Sequence, residues 1–242
     1  MYLFSFFVNI FDMLDNINME NETLNIKEIC KNFIYYMDKN NLEDLMDIDI
    51  GVTVLSPKGD VANLLYEIKK EIILDMNLSE CVGEVYQDFK QKSKFVNYIL
   101  FDTLRERLEE NMNNLFELEN KIKFDCVILQ EYEYIENENK YAMPPHRDQK
   151  GFVNLVIVLL VEGESNFYIA KDKSGLDEKY IDAKVGDLIV MRGYDFMNIK
   201  ERPIHYVGKI QKGKRRVTLG FRQFTKDEKD LENIKNVFNY KI

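Results

Sequence analysis

Apolar residues recur along this chain with two different periods. Val61, Leu64, Leu65, Ile68 and Ile72 fall three and four positions apart, which gathers them on one face of a helix. Leu100, Leu104, Leu108, Met112 and Leu115 repeat the pattern over a longer segment. Residues 26–46 make a third, weaker helical candidate, and a short strand is expected over Ile48–Leu55, ending at Ser56-Pro57. The plain reading of these apolar faces is helices packing on a sheet, not a groove for a partner.

The pattern changes near residue 122. Eight of the eleven glycines and three of the four prolines lie beyond it, where they punctuate short strands and turns. Strands are expected over Cys126–Tyr134, Phe152–Val161, Asn166–Ala170, Asp187–Met191, Ile204–Ile210 and Arg215–Phe224. Turn signals separate them at Gly163, Ser174-Gly175, Gly186-Asp187 and Lys212-Gly213. Val153–Val161 is almost wholly apolar, as a central strand covered on both faces should be. Short strands at this spacing point to an antiparallel sandwich or barrel, the jelly roll included. The expected organisation is a mainly helical region over 1–122 packing on the core, a β-core over 123–226 and a C-terminal helix over 227–242.

Composition narrows the function class. With 45% apolar residues, 16 Phe and 14 Tyr, the chain of 242 residues can fill a real core, so wholesale disorder is excluded. A net charge of −9, from 42 acids against 33 bases, repels phosphate backbones on average and disfavours nucleic acid as a partner. Cys30, Cys81 and Cys126 are odd in number and far apart, with neither zinc spacing nor a disulfide framework, which fits reduced thiols in a cytoplasmic protein. The apolar start, Met1 to Leu14, lacks a basic n-region and is too short to span a bilayer. It is read as a core-packing segment, with no membrane association expected.

The chemistry lies in two short motifs. The chain has only two histidines, one in Pro144-Pro145-His146-Arg147-Asp148 and the other in Arg202-Pro203-Ile204-His205-Tyr206. In extended chain, residues i and i+2 point the same way, so His146 and Asp148 can aim at one point. A second histidine from a later strand completes a two-histidine, one-carboxylate facial triad, the usual signature of non-haem Fe(II). Alone, H-x-D is a weak signal. Ten residues after His205, however, comes Arg216, within Lys214-Arg215-Arg216-Val217-Thr218-Leu219-Gly220-Phe221-Arg222. On a strand, Arg216, Thr218, Gly220 and Arg222 share a face that offers two guanidiniums, a hydroxyl and an open position, a set suited to a carboxylate.

This combination, H-x-D, a distant H and R-x-T ten residues on, resembles the Fe(II)/2-oxoglutarate-dependent oxygenase superfamily over roughly residues 124–224. The closing Arg-Val-Thr-Leu-Gly-Phe-Arg looks like the R-x5-R signature of AlkB-type demethylases, and Gln130-Glu131-Tyr132 stands where those proteins carry an N-x-Y element. The resemblance implies a double-stranded β-helix (jelly roll, cupin-like) of α+β class, with helices backing one sheet. It makes His146, Asp148 and His205 the iron ligands and the catalytic centre. Arg216 would bind the distal carboxylate of 2-oxoglutarate, helped by Thr218 and Tyr132. With O2, such an enzyme oxidises a substrate C–H bond and releases succinate and CO2. No nucleotide-recognition lid precedes the motif, a departure from AlkB-type proteins. His146-Arg147-Asp148-Gln149 with Gly220-Phe221-Arg222-Gln223 also resembles small-molecule oxygenases of natural-product pathways.

Three functions follow as expectations. The first is a dioxygenase acting on a small polar metabolite, an amino acid or a derivative, with Arg147, Arg192 and Arg222 as cations for a substrate carboxylate. The second is an AlkB-like oxidative demethylase of nucleic acid, supported by R-x5-R and the basic cluster Lys209–Arg216 and opposed by the net charge. The third is a metal-binding jelly-roll protein that is no oxygenase. Arg222, six residues beyond Arg216, lies about 20 Å from it along a fully extended strand and is not expected to grip the same carboxylate.

Overall fold

The computed structural model describes residues 24–74, 79–80, 88–92, 99–116, 121–134, 136 and 139–238. The apolar segment Met1–Leu14 and Cys81 lie outside the described residues, as do the last four residues of the expected C-terminal helix. Two antiparallel sheets face each other. The larger joins β1 (Val52–Leu55), β9 (Leu188–Arg192), β6 (Phe152–Glu162), β11 (Arg215–Phe224), β4 (Cys126–Glu133), β3 (Asp88–Lys92) and β2 (Ser79–Glu80), in that order. The smaller joins β5 (Tyr141–His146), β10 (Ile204–Gly208), β7 (Phe167–Ala170) and β8 (Lys179–Ile181). This is the expected double-stranded β-helix.

Alternation along the strands builds two cores. On β6, Leu155, Ile157, Leu159 and Val161 face the helices, and Val156 and Val158 face the smaller sheet. A single strand therefore feeds both layers, which is why Val153–Val161 carries so few polar residues. Val156, Val158, Ile189 and Met191 of the large sheet meet Phe167, Ile169 and Ile181 of the small one. The outer layer holds α1 (residues 24–29), α3 (Ala62–Leu74) and α4 (Ile99–Leu115) against the back of the large sheet. Leu64, Leu65, Ile68 and Ile72 of α3 are buried, as their spacing predicts, and so are Leu100, Leu104, Leu108 and Met112 of α4. The C-terminal helix α5 (Glu228–Phe238) buries Ile234 against Gly151, where an added Cβ would stand 2.2 Å from the Ile234 Cδ1 atom.

The first half departs from expectation in two ways. The single helix expected over 26–46 is broken. After α1 and a 3-10 turn at Cys30–Asn32, Tyr35 bridges to Pro57 and donates its hydroxyl to the Gly186 carbonyl at 2.7 Å. A second helix, α2 (Lys39–Met46), then starts on an Asp38–Asn41 capping box. The strand expected from Ile48 begins only at Val52, because Asp47 accepts from the Asp49 and Ile50 amides and Gly51 turns the chain at φ +60°. The N-terminal half is thus more than a helical cover: β1 forms one edge of the large sheet, and β3 with β2 the other.

Candidate active site

The small sheet delivers the two histidines. His146 ends β5, and His205 lies on β10 as its direct register partner. β5 is an edge strand, so the missing amides of Pro144 and Pro145 cost it no inner ladder bonds. Asp148 lies two residues past the end of β5, in the segment leading to β6, and not on the extended strand from which its direction was inferred. It still converges: its Oδ1 atom is 3.9 Å from Nε2 of both His146 and His205, and the three ligand atoms lie within 4.8 Å of one another.

The protonation states suit a metal. The Pro144 carbonyl, 2.8 Å from His146 Nδ1, can only accept, so in the neutral ring that nitrogen carries the proton and Nε2 is the one with the lone pair. The Pro203 carbonyl lies 3.4 Å from His205 Nδ1 and favours the same tautomer. Burial, reinforced by the neighbouring His146, pushes the His205 imidazole down to about 4, so it is neutral near pH 7. Burial alone would raise the Asp148 carboxyl, but the pull of His205, Arg222, His146 and Arg202 outweighs it and holds the group below its ordinary value. The second carboxylate oxygen of Asp148 is buried without a hydrogen-bond partner. A buried anion with an idle oxygen between two imidazoles fits a divalent cation.

β11 lines the floor. Arg216 and Thr218 pair with Tyr132 and Gln130 of β4, and the same face continues through Gly220 to Arg222. Arg216 is 2% exposed; its Nε donates to the Ser165 carbonyl at 2.7 Å and its guanidinium lies 5.5 Å from the Tyr132 ring. The Thr218 hydroxyl is fully buried and unpartnered. A buried cation beside an unused hydroxyl is a fitting seat for a carboxylate. Arg215 takes the opposite face, 2.8 Å from the Glu131 carboxylate. Arg222 is 5% exposed and folds back along the strand, so a Cβ at position 220 would stand 2.5 Å from its Nη1. Its Nε and Nη1 have no hydrogen-bond partner. The guanidinium sits 5.4 Å from the Phe152 ring, close enough to Asp148 to act on its charge.

The cations expected for a substrate need one correction. Arg192 is not available. In register with Leu155, it points to the helix side and donates to the carbonyls of Glu201, Leu45, Asp47 and Ile48. Three of those carbonyls, Leu45, Asp47 and Ile48, lie where α2 ends and the chain turns into β1, a need that pattern along β9 could not reveal. Arg147 is exposed beside the triad and donates its Nε to the Arg202 carbonyl at 3.1 Å. Arg202, three residues before His205, carries no motif signal of its own, yet it donates Nη1 to the Asp148 carbonyl. Tyr194 lies between Arg202, at 5.9 Å, and Lys150, at 5.8 Å, at the same rim.

No protein-family profile matches the chain, and no curated protein matches it in sequence. Solved structures share its fold. HygX from Streptomyces hygroscopicus, with nickel and 2-oxoglutarate bound, superposes with a TM-score of 0.56 at 9% identity, covering 79% of this chain and 89% of that one. The non-haem α-ketoglutarate-dependent epimerase SnoN from nogalamycin biosynthesis gives 0.53 at 12% identity, with 76% and 80% covered. The viral collagen prolyl hydroxylase of Paramecium bursaria Chlorella virus-1, in its 2-oxoglutarate complex, gives 0.50 at 11% identity, with 71% and 93% covered. At such identities the likeness is one of fold.

Proposed function

We propose that this protein is an Fe(II)/2-oxoglutarate-dependent dioxygenase that oxidises a C–H bond of a small, carboxylate-bearing metabolite, an amino acid or a derivative. The observation that carries this reading is the His146–Asp148–His205 cluster beside a buried arginine and an unpartnered threonine on β11. His146, Asp148 and His205 hold the iron; Arg216, with Thr218 and Tyr132, holds the far carboxylate of 2-oxoglutarate. Iron and 2-oxoglutarate, when bound, supply the oxidising power, with O2 consumed and succinate and CO2 released. The protein's share is orientation and exclusion of water. Phe167 stacks on the His205 ring at 5.3 Å, and Val156, Val158 and Ile169 form the apolar wall between the sheets. The same fold holds nickel and 2-oxoglutarate in HygX and an α-ketoglutarate-dependent epimerase in SnoN, which favours the reading further.

The substrate class rests on charge. In a chain of net charge −9, Arg202 and Arg222 act on one carboxylate, Asp148, and Arg147 donates to the Arg202 carbonyl beside them. That concentration suits a small anion better than a polyanion, which the rest of the surface repels. Arg216 and Arg222, sharing one face of β11, are what an AlkB-like demethylase reading would start from. One screen separates the two. Protein loaded with Fe(II) and 2-oxoglutarate is offered amino acids or methylated single-stranded oligonucleotides, and succinate is measured above the uncoupled rate. Stimulation by amino acids is expected; stimulation by the oligonucleotides alone overturns the substrate class.

A further inference from the structure

Asp148 is held differently from its partner ligands. His146 and His205 sit on paired strands, so the β5–β10 ladder sets their spacing. Asp148 lies beyond that ladder, and the hydrogen bond to its carbonyl comes from the Arg202 guanidinium. In return Arg147, the middle residue of the H-x-D segment, donates its Nε to the Arg202 carbonyl at 3.1 Å. Each arginine therefore reaches from one ligand-bearing segment to the backbone of the other. Arg147 reaches from His146-Arg147-Asp148 to the segment leading into β10, and Arg202 reaches from that segment to Asp148.

We infer that Arg147 and Arg202 form a reciprocal clasp that positions Asp148 for the metal, and that both are positioning residues, not substrate cations alone. The inference rests on the iron reading given above. A planar guanidinium with its donors in a fixed fork can hold a carbonyl in one direction, which a flexible lysine ammonium cannot reproduce. Groups that orient a metal ligand from outside the coordination sphere typically change metal affinity by about 10–100-fold when removed. Arg192 offers the contrast within one chain. It too spends its guanidinium on carbonyls, but three of the four, Leu45, Asp47 and Ile48, belong to the α2–β1 connection; its Nε bonds the Glu201 carbonyl and none of its donors reaches the His146–Asp148 segment.

The test is a Co(II) titration of the full-length apoprotein, anaerobic and without 2-oxoglutarate, following the visible d–d band. Arg202→Ala is expected to weaken Co(II) binding about 10–100-fold and to alter the band, while the melting temperature of the apoprotein stays close to wild type. Arg202→Lys is expected to fall with Arg202→Ala, since charge without the fork does not restore the hold on Asp148. Arg147→Ala, an exposed substitution that leaves the core untouched, is expected to weaken binding as well. The double variant should lose about as much as Arg202→Ala alone, because the two donors act as one unit. Wild-type affinity and band in both single variants overturn the clasp and leave the oxygenase reading standing. An apoprotein melting temperature that falls in step with affinity assigns the arginines to the fold and also overturns it. Failure of the wild-type protein to bind Co(II) or Fe(II) overturns the metal reading itself.

Discussion

His146 and His205 face each other as register partners across β5 and β10, with ring centroids 4.4 Å apart. Two imidazoles at that distance, one pushed down to about 4 and both presenting Nε2 towards Asp148, are arranged to share a cation and not a proton. His205→Ala or Asp148→Ala is therefore expected to reduce Fe(II) affinity by more than the ~10–100-fold typical of outer groups and to abolish 2-oxoglutarate turnover. Isothermal titration with Fe(II) under argon measures this, and unchanged affinity in both variants removes the triad assignment.

Arg216 and Arg215 are neighbours with opposite fates. Arg216→Ala should weaken 2-oxoglutarate binding by roughly 2–5 kcal/mol, the cost of leaving a buried charge unpaired. Arg215→Ala should leave that affinity within about twofold and appear instead as a stability loss, because the Glu131 carboxylate, 2.8 Å away, is buried. A 2-oxoglutarate titration of the two variants, alongside thermal melts, reads both; the reverse ranking places the cosubstrate on the wrong face of β11.

Arg192→Ala should cost stability and spare the site. Four backbone carbonyls lose a charged donor, and each such hydrogen bond is worth on the order of 1.5–3 kcal/mol, though solvent repairs part of the loss. Chemical denaturation is expected to show a loss of about 3 kcal/mol or more, with Co(II) affinity of the folded fraction unchanged. A variant of native stability with lost substrate stimulation would return Arg192 to the substrate.

Cys30 supplies a pH test of the helical layer. Burial, partly offset by Arg107, pushes its thiol up to about 11. The folded state prefers the neutral thiol, so this contribution to stability is intact below the ordinary value of 9.0 and is lost as pH rises from there through about 11. At pH 8 the smaller thiolate fraction alone makes Cys30 ~100-fold less reactive than in the unfolded chain. Maleimide labelling in a Cys81→Ser, Cys126→Ser background, with and without urea, measures the ratio. Equal rates would mean that α1 and the turn after it do not cover the thiol.

Gly151→Ala should loosen the docking of α5. The added Cβ would meet Ile234 side-chain atoms at 2.2 and 2.7 Å and the Asp230 carbonyl oxygen at 2.9 Å. Overpacking of this kind costs typically about 1–3 kcal/mol. Faster hydrogen exchange in α5, with Fe(II) affinity retained, is the expected result; native exchange rates would show that the helix can shift without loss.

Much of this molecule is written in local periodicity. Val61 to Ile72 and Leu100 to Met112 lie at helical spacing and are buried as that spacing demands. Arg216, Thr218, Gly220 and Arg222 share a face because side chains alternate along any strand, so the floor of the site could be read without knowing its neighbours. The two histidines and Asp148 stand out in the sequence because few residue types can ligate a divalent cation, and the fold brings the three together. Tertiary structure decided which cations remain free to act there. Arg192 looks as available in sequence as Arg202, but a helix end some 145 positions earlier leaves carbonyls that capture it. Arg202 is drawn to Asp148 because two loops, 54 residues apart, meet where their strands pair. A guanidinium's partner is set by whichever unpaired oxygen the folded chain brings within reach, and that is a property of long-range contacts, absent from the pattern along any one strand.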